Sequence, residues 1–307
     1  MSDKARDPSI AARLSSGRLH LSDGPIDLII KAEGEPAAVR RAEAAARLRF
    51  EGLLAELVGE LHWLRSQLGG TPPPLRGPIA RRMAEAAWPY REVFVTPMVA
   101  VAGAVAEAVL AAMLEAAPLR RAFVNDGGDI ALHLSPGEHF EIGIMRSPEE
   151  PRSAATPEAF VRIGWESPVR GVATSGRHGR SFSLGIADAV TVLAARAADA
   201  DAAATMIANA VNVDDPAIRR RPAREIDPDS DLDDIEVVVE VGPLTEEKIA
   251  AAFAGGRERA EALIRNGRIE GALISLCGRW ESIGEATKHA LSLGGWGASH
   301  GRGDAIM

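Results

Sequence analysis

The chain has 307 residues, with 46% hydrophobic and 25% charged, enough apolar content for a sizeable buried core. A net charge of −8 at pH 7 excludes a general nucleic-acid binder, which needs a basic surface to displace counterions from phosphates. A nucleotide ligand stays open, because one pocket can be positive on an acidic protein.

Cys277 is the single cysteine, so no intrachain disulfide forms. The opening stretch MSDKARDPSI lacks the apolar run of a signal peptide, and no apolar stretch runs uninterrupted for the length of a membrane span. A cytoplasmic chain with no membrane partner is expected. Aromatic residues make up only 4%, so the core falls to Ala, Val, Leu and Ile, and the abundance of Ala favours helices.

Residues 1–17 are polar and are expected to be flexible. Arg18 to Lys31 predicts a hairpin, with turn chemistry at Asp23-Gly24-Pro25. From Pro36 to Leu68, apolar residues near a 3.6-residue repeat predict one long helix, ended by Gly69-Gly70. A short helix follows over 78–88, stopped by Pro89, and Thr96-Pro97 opens another from Met98 to Ala117. The small residues at that helix start allow a ligand or another backbone to come close.

Arg121 to Leu134 reads as strand, Gly-rich turn, strand, and His139 to Met145 as a further strand. Residues 146–158 read as a polar loop. Strands are expected at Gly171–Ser175 and Ala189–Ala194, and a helix from Ala195 to Val211. Asp214 to Asp234 reads as an acidic, mobile loop, and Ile235 to Val241 as a strand. Helices are expected at 245–255 and 257–265, then a helix or strand through Ile269 to Cys277, and a flexible tail over 294–307. Strands and helices in mixed order, without regular βαβ spacing, predict an α+β fold of mixed and antiparallel sheets layered with helices.

Three constellations could carry chemistry. Asn125-Asp126-Gly127-Gly128-Asp129 can expose backbone N–H groups to a phosphate or ribose, and the same residues also make an ordinary hairpin turn. Thr174-Ser175-Gly176-Arg177-His178-Gly179-Arg180 brings hydroxyls, two guanidinium forks and an imidazole into one turn. Arg177 and Arg180 suit an oxyanion and His178 suits acid–base work, while a solvated basic loop is the plain alternative. Asp201 and Thr205, at i and i+4, share a helix face and offer hard oxygens to Mg2+, with Asp188 and Asp199 as further carboxylates nearby. His133 and His139 lie on adjacent expected strands, where structural histidines are the more common reading.

In order, these segments resemble the ApbE-like superfamily, which includes FAD:protein FMN transferases. Val99–Glu107 resembles its Ala-Lys-Gly segment, Phe123–Ile130 its Asn-x-Gly-Gly-Asp segment, Ala173–Gly176 its Thr-Ser-Gly motif, and Thr191–Thr205 its strand and magnesium helix. Gly24-Pro-Ile-Asp27 and Thr96-Pro-Met-Val-Ala-Val-Ala-Gly103 resemble a sister branch more closely, extending the likeness over about residues 18–280 as a single domain.

The resemblance implies a T-fold-related layering, a small-molecule or nucleotide ligand such as FAD, and Mg2+ held by Asp201, Thr205 and the Val101 carbonyl. It implies a pocket lined by Asn125, Gly127, Gly128, Thr174, Ser175, Gly176 and Arg180. His178, Arg177 and Asp188 are the catalytic candidates. The family-level activity is FMN transfer or diphosphate cleavage; another anionic substrate, or flavin or metabolite binding without catalysis, are the alternatives. Ala102 stands at the family lysine and Glu107 at the usual aspartate. Only Arg177 to Asp188 separates the two strands, without a His-x-x-Asp-Pro motif. The Ala- and Gly-rich helices could pack in a homodimer.

Overall fold

The computed structural model describes residues 10–144, 159–179, 181–288 and 305–306. Internal contacts group the chain into two units. The first comprises Met1–His139, Gly164–Glu166 and Arg196–Ala198, and the second comprises Phe140–Ile163, Ser167–Ala195 and Asp199–Met307.

The first unit is an antiparallel meander of β1 (Ile10–Arg13), β2 (Leu19–Asp23), β3 (Ile26–Glu33), β4 (Arg121–Asp126) and β5 (Asp129–Leu134). Both hairpins read from turn chemistry form as expected, and the polar start also carries β1. Its helices are α1 (Pro36–Phe50), α2 (Leu53–Gly59), α3 (Leu61–Leu64), α4 (Pro78–Ala87) and α5 (Val101–Ala116). Helix α1 packs on β2 and β3, and α5 on β4 and β5. Residues alternate between buried and half-buried along β2 and most of β3, so one face of that part of the sheet is sealed.

The long helix expected over 36–68 is broken into α1, α2 and α3. Gly52 takes φ +74 after Glu51 leaves helical geometry, a backbone state that glycine enters without a Cβ clash. The helix expected from Met98 begins instead as a short 3-10 turn over Pro97–Ala100. The run Pro97–Ala116 is long and apolar enough to cross a membrane by composition, yet half of it is buried within the protein.

In the second unit, β6 (His139–Ile144), whose first residue belongs to the first unit, is joined by β7 (Ala159–Gly164), a strand absent from the sequence reading. The 146–158 loop lies outside the described residues. Four neighbouring strands follow in the order β8 (Gly171–Ser175), β9 (Ala189–Ala194), β12 (Gly271–Leu276) and β13 (Arg279–Ile283), each adjacent pair antiparallel. Helix α6 (Ala197–Ala210) starts in the first unit and continues in the second.

The stretch read as an acidic mobile loop instead contains β10 (Ile218–Pro222) and α7 (Ala223–Ile226), with β10 paired to β11 (Glu236–Val241). Arginines on β10 hid the strand, and an Arg219–Glu240 ion pair across the ladder helps to hold it. The two helices expected over 245–265 are one, α8 (Glu246–Arg265). Its Gly255 and Gly256 do not break it; a Cβ at either position would come within 2.5 Å of Ala210 O or 2.4 Å of a Val211 methyl. Residues 271–276 are a strand rather than a helix, and of the tail only β14 (Ala305–Ile306) is described, parallel to β6.

Candidate functional site

The richest chemistry in the second unit gathers where β8 turns toward β9. Thr174 lies opposite Thr191 in the ladder, and their hydroxyls are 2.8 Å apart. Ser175, the next residue, points to the other face of the sheet, where its Oγ accepts a hydrogen bond of 3.2 Å from Thr205 Oγ1 on α6. The paired hydroxyl residues therefore serve different faces, and it is Ser175 that meets the helix carrying Asp201 and Thr205.

Gly176 follows with φ +148, and a Cβ there would fall 2.6 Å from the Asp188 carbonyl oxygen. That clearance lets the chain fold back, so that the Arg177 N–H donates to Ala187 O at 2.9 Å. Arg177 Nε and Nη2 then donate to one oxygen of Asp188, at 2.9 and 2.6 Å. The His178 Nε2 is 3.6 Å from the same oxygen, an ion-pair distance when the ring is protonated. Asp188 is 4% exposed. A buried carboxylate is costly without a cation, and Arg177 supplies one.

Two residues of β12 and its turn, which the sequence analysis did not assign to any site, complete the cluster. The Asp188 N–H donates to Ser275 O at 2.8 Å, and the fully buried Ser275 Oγ has no hydrogen-bond partner among the described residues. Cys277 sits in the β12–β13 turn with φ +50. Burial and the nearby Asp188 charge push its thiol up from its ordinary range, while Arg177 and Arg279 act the other way. No local motif signals either residue, because β12 reaches this place only by pairing with β9.

Asp201 and Thr205 lie one turn apart on α6, as expected. Among the described residues no group of three or more His, Cys, Asp or Glu could hold a metal. The oxygens of Asp201, Thr205 and Ser175 are hard donors. They suit an ion such as Mg2+ that keeps several waters and shares ligand oxygens, not one needing an all-protein cage. Arg180 lies outside the described residues.

The remaining pocket and metal candidates, Asn125, Gly127, Gly128 and Val101, belong to the first unit, and Asp199 belongs to the second, on α6. Asn125 Oδ1 accepts the Gly128 N–H at 2.8 Å, which closes the β4–β5 turn, and Asp126 Oδ1 accepts the Asp27 N–H at 3.3 Å. Gly127 and Gly128 form that turn with φ +65 and +124, and nothing lies within 4 Å of a Cβ built on Gly128. Val101 is the first residue of α5. The small residues after it admit a backbone: a Cβ on Gly103 would stand 2.4 Å from Ala197 O. Glu107 bonds the Ala198 N–H at the start of α6 at 2.8 Å and pairs with Arg82 at 2.9 Å. His133 Nε2 is 3.1 Å from Leu119 O, a structural contact.

The sequence profile of the family described as AbpE bacteria matches residues 11–282. The chain belongs to that family. Among relatives, a UPF0280 protein of Methanopyrus kandleri is 39% identical over 64% of this chain and 73% of its own length. A UPF0280 protein of Methanothrix thermoacetophila is 38% identical over 45% of this chain, which spans about half (54%) of that relative. The fold is similar to the flavin transferase ApbE of Vibrio cholerae, with a TM-score of 0.50 and 13% identity, covering 92% of this chain and all (100%) of the other. The likeness to that AbpE-type fold bears out the α+β class read from the sequence, and the family match bears out the resemblance.

Proposed function

We propose that this AbpE-family chain is an enzyme acting on a small anionic ligand, a flavin nucleotide or a related diphosphate, bound beside the β8–α6 hydroxyl pair. The observation that carries the reading is the Thr205–Ser175 hydrogen bond, on the helix that also presents Asp201, with Arg177, His178 and Asp188 just beyond Gly176. Asp201, Thr205 and Ser175 would hold Mg2+, which supplies charge neutralisation at a diphosphate. Ser175 would orient the ligand through its hydroxyl, while Thr174 faces Thr191 on the opposite side of the sheet. His178 would move the proton, with Asp188 available to stabilise the charged ring. Arg177 acts on Asp188, so its contribution is to fix that carboxylate and through it the imidazole.

Ala102 in place of the family lysine, and the short connection from Arg177 to Asp188, favour a second reading in which the anionic substrate is not a flavin. Incubation with FAD and Mg2+ separates the two. An FMN-bearing or AMP product from the wild type, lost in Asp201→Ala, supports flavin chemistry. No product from either, with a non-flavin molecule found by native mass spectrometry of the purified protein, supports the second reading.

A further inference from the structure

A cleft of about 350 Å³ is lined by Asn212, Val213, Asp214 and Arg220. Three arginines run in sequence on β10. Arg219 pairs with Glu240 at 2.6 Å and Arg221 with Glu225 at 3.2 Å. Arg220, between them, has no carboxylate partner among the described residues. The register with β11 slips between Arg219 and Arg220, and such a bulge re-aims the side chains beside it.

The Arg220 guanidinium instead donates through Nη2 to Asn212 Oδ1 at 2.7 Å. Asn212 is itself fixed, donating to Leu184 O at 3.1 Å while its Oδ1 also accepts the Val213 N–H at 3.0 Å. A half-buried guanidinium is thus held in place by a neutral amide, with most of its five donors left without a partner among the described residues. Lys248 Nζ donates at 2.6 Å to the carbonyl oxygen of Asp214, itself a residue of the cleft lining. The Asp214 carboxylate is exposed, where water and salt screen it, and Asp215 Oδ1 is taken up by the Ala217 N–H at 2.9 Å.

We propose that Arg220 and Lys248 form a second anion site, separate from the one proposed above, that takes the phosphoryl group of a small molecule. The guanidinium fork matches two phosphoryl oxygens, and the ammonium adds a point charge suited to a dianion. The site stands whether or not the β8–α6 reading does.

The test is a calorimetric titration of the full chain with inorganic phosphate at ionic strength held constant with sodium chloride. Saturable binding to the wild type is expected, weakened by roughly tenfold or more in Arg220→Gln and retained in Thr205→Val. Arg220→Lys keeps the charge without the fork and reads the site if the glutamine variant does not fold; a loss of roughly threefold or more is expected there. No saturable binding to the wild type, or undiminished binding in either folded Arg220 variant, overturns the proposal.

Discussion

Arg177 and Asp188 are joined by two hydrogen bonds to a single carboxylate oxygen, at 2.9 and 2.6 Å, across the turn that links β8 to β9. The pair ties the basic end of the connection to the first residue before β9, and it turns an arginine that could clamp a ligand into one that anchors a carboxylate. Removing Arg177 leaves Asp188 buried without its guanidinium partner, with the His178 ring 3.6 Å away. Arg177→Ala should therefore cost about 2 kcal/mol at pH 7, less once Asp188 is also made Asn. Urea midpoints for the double-mutant cycle measure the coupling. Additive single and double variants would show that the pair holds nothing together.

The Cys277 thiol reports on the same pair. Burial and the Asp188 charge both disfavour its thiolate, so alkylation by iodoacetamide at pH 7 should be slower than for a free thiol and should rise only at more alkaline pH. Asp188→Asn removes one opposing charge and frees Arg177 to favour the thiolate, so its alkylation rate should increase. An unchanged pH–rate profile would sever Cys277 from the cluster.

Much of this arrangement was legible in the sequence because its signals are local. Asp23-Gly24 and Gly127-Gly128 mark hairpins by turn chemistry alone, and Asp201 and Thr205 share a face by helical spacing alone. What failed was the meaning of glycine. Gly52 breaks a helix through a positive φ, whereas Gly255-Gly256 sits inside one, where neighbouring chain packs too close for a side chain. The sequence reading runs one helix through Gly52 and places a break at Gly255-Gly256, since neither a positive φ nor close packing is a local property. Ser275 and Cys277 went unseen at the site for the related reason that β9 and β12 are far apart in sequence. Strand β10 was hidden by Arg219, Arg220 and Arg221, whose cross-strand and cleft contacts become visible only once β11 is paired.

The contact of α5 with the start of α6 predicts two independent losses. Glu107→Ala removes an anion from a helix N-terminus and the ion-pair partner of Arg82, and should cost about 2 kcal/mol. Gly103→Ala puts a Cβ 2.4 Å from the Ala197 carbonyl, where backbone must yield, and should cost about 3 kcal/mol. Thermal or urea unfolding of the single variants checks both. Wild-type stability in Gly103→Ala would mean the two segments are further apart than described.

Glu33 sets a pH dependence in the first unit. Its carboxylate meets Arg121 through two hydrogen bonds of 2.7 and 3.0 Å, with Lys31 Nζ at 2.9 Å and Arg120 Nη2 at 3.2 Å. Burial alone would raise its carboxyl, but the hydrogen bonds and charges of Arg121 and Lys31 outweigh it and hold the group below the usual carboxylate range. A depressed folded-state value means that the unfolded chain takes up the proton first as pH falls. The stabilisation is thus complete well above the ordinary glutamate value of about 4.3 and is lost on descending through it toward the lower folded value. Glu33→Gln has no such proton to bind. The wild type should exceed it in stability at pH 7, and the gap should narrow steadily between about pH 5 and pH 3. Urea midpoints for the two proteins across that range decide the matter, and parallel curves would assign the carboxylate no role in acid stability.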